Sequence, residues 1–241
     1  MFRCSMMPAV AAGQGLPRSY GSWSALVQVF ALVVAALALA VPLAGPAAGA
    51  DRPVRIVALG DSLTAGLGLP ANAAFPARLE QALNAKGMAV EITNAGVSGD
   101  TASAGLARLD WSVPEGTDAV IVELGANDTL RGTDPKVTRE ALEGIVGRLR
   151  ERRIEVLLAG MRAAPNLGPD YGRDFDAIYP DLAARNDLLF YPFFLDGVAT
   201  DAKLNQRDGL HPTAAGVDAI VARILPKAEA LVARVRDKRG M

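Results

Sequence analysis

The chain is poor in the residues that cross-link proteins or give them a strong charge. Its 241 residues include one cysteine, Cys4, so no disulfide can form within the chain, and stability must come from a packed core. The formal net charge is −1, which does not favour a nucleic-acid partner. Histidine also occurs only once, and aromatic residues make up 5%.

A long uncharged segment occupies the front of the chain. Positions 25–50 contain no charged residue, Arg3 and Arg18 precede them, and the segment ends in AGPAAGA. Basic residues, an apolar run and an A-x-A ending predict a secretory signal peptide over residues 1–50. A retained membrane anchor is the alternative, because the run is long enough to span a bilayer. With cleavage, residues 51–241 would be periplasmic or secreted, with no stable membrane insertion.

Beyond residue 51 the sequence alternates short β-branched runs with longer helical patterns, which predicts one α/β domain. Strands are predicted at 54–59, 89–94, 119–124, 155–160 and 188–194. Helices are predicted at 75–86, 101–109, 135–153, 173–185 and 213–236, the last broken at Pro226. Right-handed crossovers give a five-stranded parallel sheet with helices on both faces. The alternating second strand indicates a sheet edge, and the continuously apolar third strand indicates the centre.

The lone histidine lies in the motif DGLHP, beyond the last predicted strand, whereas Ser62 follows the first strand directly. In parallel sheets, ligands gather at the carboxyl ends of the strands, which brings these loops to one edge. A serine nucleophile needs a base, and His211 is the one imidazole available. Asp208 is spaced to orient that imidazole, so we predict a catalytic triad of Ser62, His211 and Asp208. Asp61 is predicted to hold the turn, and helix capping remains the alternative role for Ser62.

Acyl transfer also needs hydrogen-bond donors for the oxyanion of the tetrahedral intermediate. The backbone N–H of Ser62, at a helix start, is one candidate donor. Gly99 can bring a second N–H close because it has no side chain, and the side-chain amide of Asn127 is a third. A simple turn at Gly99 and helix capping by Asn127 are the alternatives.

The same motifs resemble a known family. GDSL at 60–63, Gly99 in SGDT, Asn127 in GAND and His211 in DGLHP are similar to the four sequence blocks of the SGNH, or GDSL, hydrolases. Longer stretches, SGDTASAGLARL and VELGANDTLRG, are similar to its periplasmic thioesterase, lysophospholipase and arylesterase branch. The resemblance implies a three-layer flavodoxin-like domain over 51–241, a shallow open site, the same triad and oxyanion donors, and neither metal nor organic cofactor.

The expected substrate is a small acyl or aryl ester. Leu67, Leu130 and Pro165 are predicted to supply apolar substrate-binding surface. We expect hydrolysis of carboxylic esters and thioesters with aryl groups or short to medium acyl chains, including lysophospholipids. A carbohydrate O-acetylesterase is an alternative, disfavoured by the scarcity of aromatic residues, and a ligand-binding module on a hydrolase scaffold is another. The sequence does not indicate an oligomeric state.

Overall fold

A computed structural model describes residues 52–240, so the predicted leader lies outside the described part of the chain. Its sheet consists of β1 (Val54–Gly60), β2 (Val90–Gly96), β3 (Ala119–Glu123), β4 (Glu155–Ala159) and β5 (Leu189–Tyr191). All strand pairs are parallel, and the order is β2-β1-β3-β4-β5. This confirms the second strand as an edge and the third, fully buried, as the centre. No helix within residues 52–240 has the length and apolar character needed to cross a membrane.

Helices cover both faces of the sheet. They are α1 (Ser62–Ala65), α2 (Phe75–Ala85), α3 (Ala102–Ala107), α4 (Leu109–Ser112), α5 (Ala126–Leu130), α6 (Pro135–Glu151), α7 (Pro169–Asp176), α8 (Ile178–Asn186) and α9 (Ala214–Lys238). The chain moves from β1 outward to β2 and then returns past β1 to β3. With right-handed crossovers, this reversal puts α2 and α3 on opposite faces. Accordingly α9 packs with α2, whereas α3 and α8 pack with α6.

The last helix differs from the sequence prediction. A break was expected at Pro226, but α9 is continuous through it. Proline removes one backbone hydrogen bond and costs about 3 kcal/mol inside a helix. Pro226 is exposed, as is Ala222, whose carbonyl loses its helical partner, so water can satisfy that carbonyl. The opposite side of the helix buries Ile220, Ile224 and other apolar residues, which favours a continuous helix.

Two further elements differ from the prediction, and in both cases a proline lies nearby. The helix expected over 173–185 is two helices, α7 and α8, which meet at Ala177. Pro180 occupies the first turn of α8, where its missing N–H is tolerated. The fifth strand ends at Tyr191, whose carbonyl accepts the Gly160 N–H at 2.8 Å. The next donor to this position is the N–H of Phe194, three residues after Tyr191, so the regular two-residue spacing of the ladder stops where Pro192 begins the loop.

The reversal of strand order determines where the loops meet. Because β1 has β2 on one side and β3 on the other, the crossovers that leave β1 and β3 diverge to opposite faces. Ligands of such sheets bind at this switch point, beyond the carboxyl ends of the strands. Ser62 follows β1 and Asn127 follows β3, so both lie at this point.

Candidate active site

Ser62, His211 and Asp208 form a continuous chain of hydrogen bonds. Ser62 Oγ lies 2.9 Å from His211 Nε2, and His211 Nδ1 lies 2.7 Å from Asp208 Oδ2. Ser62 is buried as the first residue of α1, whereas Asp208 and His211 lie in the loop before α9. The fold therefore joins groups that are 149 positions apart in the sequence.

The loop orients the imidazole through the Asp208 carboxylate. Asp208 Oδ1 accepts the backbone N–H groups of Leu210 at 2.9 Å and of His211 at 3.0 Å. These two backbone donors and the ring N–H of His211 lower the pKa of Asp208 to about 2, and the backbone N–H of His211 has the largest effect. The carboxylate is therefore ionised at neutral pH. An ionised carboxylate at Nδ1 favours the tautomer that leaves Nε2 free to accept a proton from Ser62.

Two backbone N–H groups near this chain have no internal partner. Within residues 52–240, neither the N–H of Ser62 nor that of Gly99 donates to a protein acceptor. Gly99 has φ +88°, a conformation that residues with a side chain rarely adopt. Its carbonyl accepts from Arg131 Nη2 at 2.7 Å. These N–H groups are available to an oxygen of a bound substrate.

The Asn127 amide is held by two acceptors. Its Nδ2 lies 3.0 Å from Asp61 Oδ2 and 3.0 Å from the carbonyl oxygen of Asp100. Each of its two N–H groups thus has a partner in the protein. To donate to an oxyanion, the amide must share one N–H between that oxygen and its present acceptor, as three-centre hydrogen bonds do.

Two buried acids support the turn from β1 into α1, called here the serine turn. Asp61 caps α1 by accepting the Leu63 N–H at 2.9 Å, as expected for a residue that holds the turn. Burial raises the pKa of Asp61 to about 6, although hydrogen bonds from Leu63 and Asn127 oppose the shift. Glu123, at the end of β3, accepts from Thr64 Oγ1 at 2.7 Å, and within residues 52–240 its other oxygen, Oε1, has no hydrogen-bond partner. Burial and then the charge of Asp61 raise the pKa of Glu123 well above its ordinary value.

A largely apolar cavity opens beside the serine. Its volume is about 480 Å³, and its lining includes Ser62, Asn127 and His211. Leu130 and Pro165, both predicted to bind substrate, also line it. Leu67 does not, and its carbonyl instead accepts from the Gln206 side chain at 2.7 Å.

Sequence reasoning missed Met161, Phe193 and Glu123. Met161 and Phe193 line the cavity just beyond β4 and β5, and Arg162 lies with its guanidinium 4.8 Å from the Phe193 ring centroid. The strand-end rule that found Ser62 applies to these positions too. Glu123 also had a signal, because an acid at the end of an apolar central strand is unusual. Among residues 52–240, no group of three or more His, Asp or Glu side chains is placed to hold a metal ion.

Comparison with known proteins supports the same reading of the sequence. A profile of the GDSL-like lipase/acylhydrolase family matches residues 58–219. An arylesterase of Vibrio mimicus is 39% identical over 166 residues, which cover 68% of this chain and 83% of the relative. Thioesterase 1/protease 1/lysophospholipase L1 of Escherichia coli is 40% identical over 167 residues, 69% of this chain and 77% of the relative.

A solved structure gives the same result. AlinE4, an SGNH-hydrolase family esterase, is 47% identical with a TM-score of 0.63 and covers 74% of this chain and 96% of its own. The α/β fold and the predicted class, a carboxylic ester hydrolase, are thereby confirmed. The chain belongs to the GDSL-like lipase/acylhydrolase family.

Proposed function

We propose that this protein hydrolyses carboxylic esters and thioesters through an acyl-serine intermediate on Ser62. The observation that carries the proposal is the hydrogen-bond chain from Ser62 Oγ through His211 to Asp208. A serine hydroxyl is a weak nucleophile, and an imidazole within hydrogen-bond reach activates it by taking its proton. The carboxylate of Asp208 then stabilises the imidazolium that forms.

In the acylation step, Ser62 Oγ attacks the carbonyl carbon of the ester while its proton passes to His211 Nε2. The carbonyl oxygen becomes an oxyanion, which accepts hydrogen bonds from the N–H groups of Ser62 and Gly99 and from the Asn127 amide. Collapse of the intermediate breaks the bond to the leaving group. The alcohol, phenol or thiol leaves with the proton from His211, and the acyl group stays on Ser62.

In the deacylation step, water replaces the leaving group. His211 takes a proton from the water as the oxygen attacks the acyl-serine carbonyl, and the same donors stabilise the second oxyanion. Collapse then returns the proton to Ser62 Oγ and releases the carboxylic acid. Each turnover consumes one ester and one water, and the protein is restored.

The cavity favours an acyl or aryl group over a sugar. Leu130, Met161 and Phe193 contribute apolar surface, and the volume of about 480 Å³ suits a short to medium acyl chain or an aromatic ring. The names of the two relatives, an arylesterase and a thioesterase with lysophospholipase activity, support aryl esters, acyl thioesters and lysophospholipids as substrate classes.

We also propose that residues 51–241 form the hydrolase domain and act in the periplasm or outside the cell. The uncharged segment 25–50 and its A-x-A ending support export with cleavage after residue 50. The family match at 58–219 lies within the proposed domain. Expression of the full chain and mass measurement of the exported product test the cleavage site directly.

The decisive experiment combines labelling with turnover. One portion of residues 51–241 is reacted with a fluorophosphonate, digested and mapped by mass spectrometry. A second, unlabelled portion is assayed on p-nitrophenyl esters of increasing acyl length. We expect the label on Ser62 alone and loss of hydrolysis in Ser62→Ala. Ser103→Ala, at an exposed serine of α3, is the matched control and keeps full activity. Full esterase activity in Ser62→Ala would refute the proposal, and ligand binding without turnover would indicate a binding protein.

A further inference from the structure

A buried arginine packs behind the loops that carry the candidate site. This residue, Arg108, follows α3 directly and is only 8% exposed. Its Nε donates to Asp100 Oδ2 at 2.5 Å, Nη1 to Ser112 Oγ at 2.9 Å, and Nη2 to the carbonyl oxygen of Gly60 at 2.9 Å. The guanidinium therefore joins the end of β1 and the loop at Asp100 to the end of α4, the helix that follows Arg108.

The chemistry of this position favours arginine. A buried cation is tolerated only when it is paired and hydrogen-bonded, and Asp100 provides the opposite charge with a side chain that is itself 14% exposed. The three acceptors lie in different directions around one planar group. Arginine has five N–H donors in a rigid fork, whereas lysine has a single ammonium centre that cannot reach the same set.

The contacts of Arg108 are adjacent to every proposed oxyanion donor. Gly60 precedes Ser62 by two residues, and its carbonyl also accepts the Val97 N–H at 3.0 Å, which ties it to the loop carrying Gly99. Asp100 follows Gly99 directly. The backbone carbonyl of Asp100 accepts the amide of Asn127 at 3.0 Å. One guanidinium thus bonds directly to the segments that carry the Ser62 and Gly99 donors, and Asn127 is joined to them through the backbone carbonyl of Asp100.

We infer that Arg108 is a positioning residue for the oxyanion hole: it holds these three donors in the geometry the tetrahedral intermediate needs and contacts no substrate atom. The inference rests on the function proposed above. Donors aimed at the developing oxyanion act in the transition state. Loosening the contacts of Arg108 with Asp100 and Gly60, called here the clamp, therefore lowers kcat while substrate binding is largely kept. An arginine that only stabilised the fold would affect unfolding and leave kcat unchanged.

The test compares two arginines matched in burial. Arg108→Lys keeps the positive charge and loses the fork. Arg239→Lys is the control, because the side chain of Arg239 is also largely covered, 13% exposed, and contacts the carboxylate of Asp118, whose side chain is 11% exposed. Asp118 immediately precedes β3, at the opposite end of the strands from Ser62. Both variants lose stability, which thermal unfolding measures.

Only Arg108→Lys is expected to lose catalysis. Removing one oxyanion donor outright costs about 10²- to 10³-fold in kcat, so displacing the donors should cost roughly 10- to 100-fold, with KM within about threefold of wild type. Active sites are counted by titration with a phosphonate, so that unfolded protein does not enter kcat. Equal kcat per active site in Arg108→Lys and Arg239→Lys would overturn the inference.

A double-mutant cycle identifies the route of the effect. If Arg108 acts through the donors, Arg108→Lys costs less in an Asn127→Ala background than in wild type, whereas full additivity contradicts the inference. Asp100→Asn weakens the clamp while keeping Arg108, and it carries the same expectation if Arg108→Lys does not fold. Failure of the proposed function is distinguishable, because Ser62→Ala would then retain the wild-type rate.

Discussion

Replacement of Asp208 by asparagine tests the role of the carboxylate most directly. Asp208 Oδ1 accepts two backbone N–H groups, from Leu210 and His211, and only an oxygen can occupy that position. The new NH₂ of Asp208→Asn must then face His211 Nδ1, which lies 2.7 Å from Oδ2 in the native protein. Because NH₂ only donates, Nδ1 becomes the acceptor and Nε2 carries the proton. A protonated Nε2 cannot take the proton of Ser62.

The expected loss is large in rate and small in stability. The same substitution in a serine protease triad lowers kcat by about 10⁴ through the wrong tautomer, and we expect roughly 10³- to 10⁴-fold here. Thermal unfolding should change little, since both backbone bonds to Oδ1 are kept. Asp208→Ala removes those bonds as well, so it should lose a similar amount of activity and more thermal stability.

The assay is kcat/KM on p-nitrophenyl butyrate between pH 5 and 9. The pKa of Asp208 is lowered to about 2, so Asp208 stays ionised over this range and contributes no limb to the wild-type profile. The control is Asp201→Asn, at an aspartate of the same loop that accepts the backbone N–H two residues later, that of Lys203 at 2.8 Å. Activity of Asp208→Asn within tenfold of wild type, with Ser62→Ala inactive, would refute the role assigned to Asp208.

Three further predictions concern the cavity and the buried acids. Leu130→Ala should raise the ratio of KM for an octanoyl ester to KM for an acetyl ester by about fivefold, because roughly 1 kcal/mol of apolar contact with the longer chain is lost. Val137 is exposed and lies outside the cavity lining, so Val137→Ala should leave this ratio unchanged. The raised pKa of Asp61 means that the native state binds more protons than the unfolded chain between about pH 4 and 6, so unfolding free energy should fall as pH rises through that window. Urea unfolding checks this, and an equal slope in Asp61→Asn would contradict it. At pH 7, Glu123→Gln should lower the free energy of unfolding by less than about 1 kcal/mol, because burial already favours the neutral acid. Asp118→Asn should lower it by about 1–3 kcal/mol, because two arginines and a backbone N–H donate to the Asp118 carboxylate. A larger loss in Glu123→Gln than in Asp118→Asn would indicate that Glu123 is ionised in the native protein.

Most of the fold is predictable because hydrophobic pattern reports burial. The continuous apolar run of β3 and the alternating pattern of β2 correctly indicated the centre and the edge of the sheet. Element ends were less predictable where proline was involved. Pro226 disfavours a helix locally, but only packing shows that it faces solvent while the opposite side of α9 is buried. Tertiary burial outweighs that local cost, and no local pattern contains this information.

The candidate site could be predicted only in part. Ser62 and His211 were identified because the strand-end rule and the scarcity of histidine leave few choices, and the structure brings them within 2.9 Å. Their catalytic roles remain predictions. The contacts of Arg108 and Glu123 could not be read from the sequence, because each joins segments far apart in the chain, such as Arg108 and Gly60 at a separation of 48 residues.

The residues of the serine turn serve the local structure as well as the chemistry. Helix α1 has only four residues, which is too short to be stable alone, so side chains around it must hold the turn. Asp61 caps it, and Thr64 donates to Glu123 below it. A Cβ on Gly60 would lie 2.1 Å from Thr64 Oγ1 and 2.7 Å from the Glu123 carbonyl oxygen, so only glycine fits where β1 ends. Glycine and aspartate in this motif are thus required by packing and capping, and serine is the one member whose side chain reaches His211.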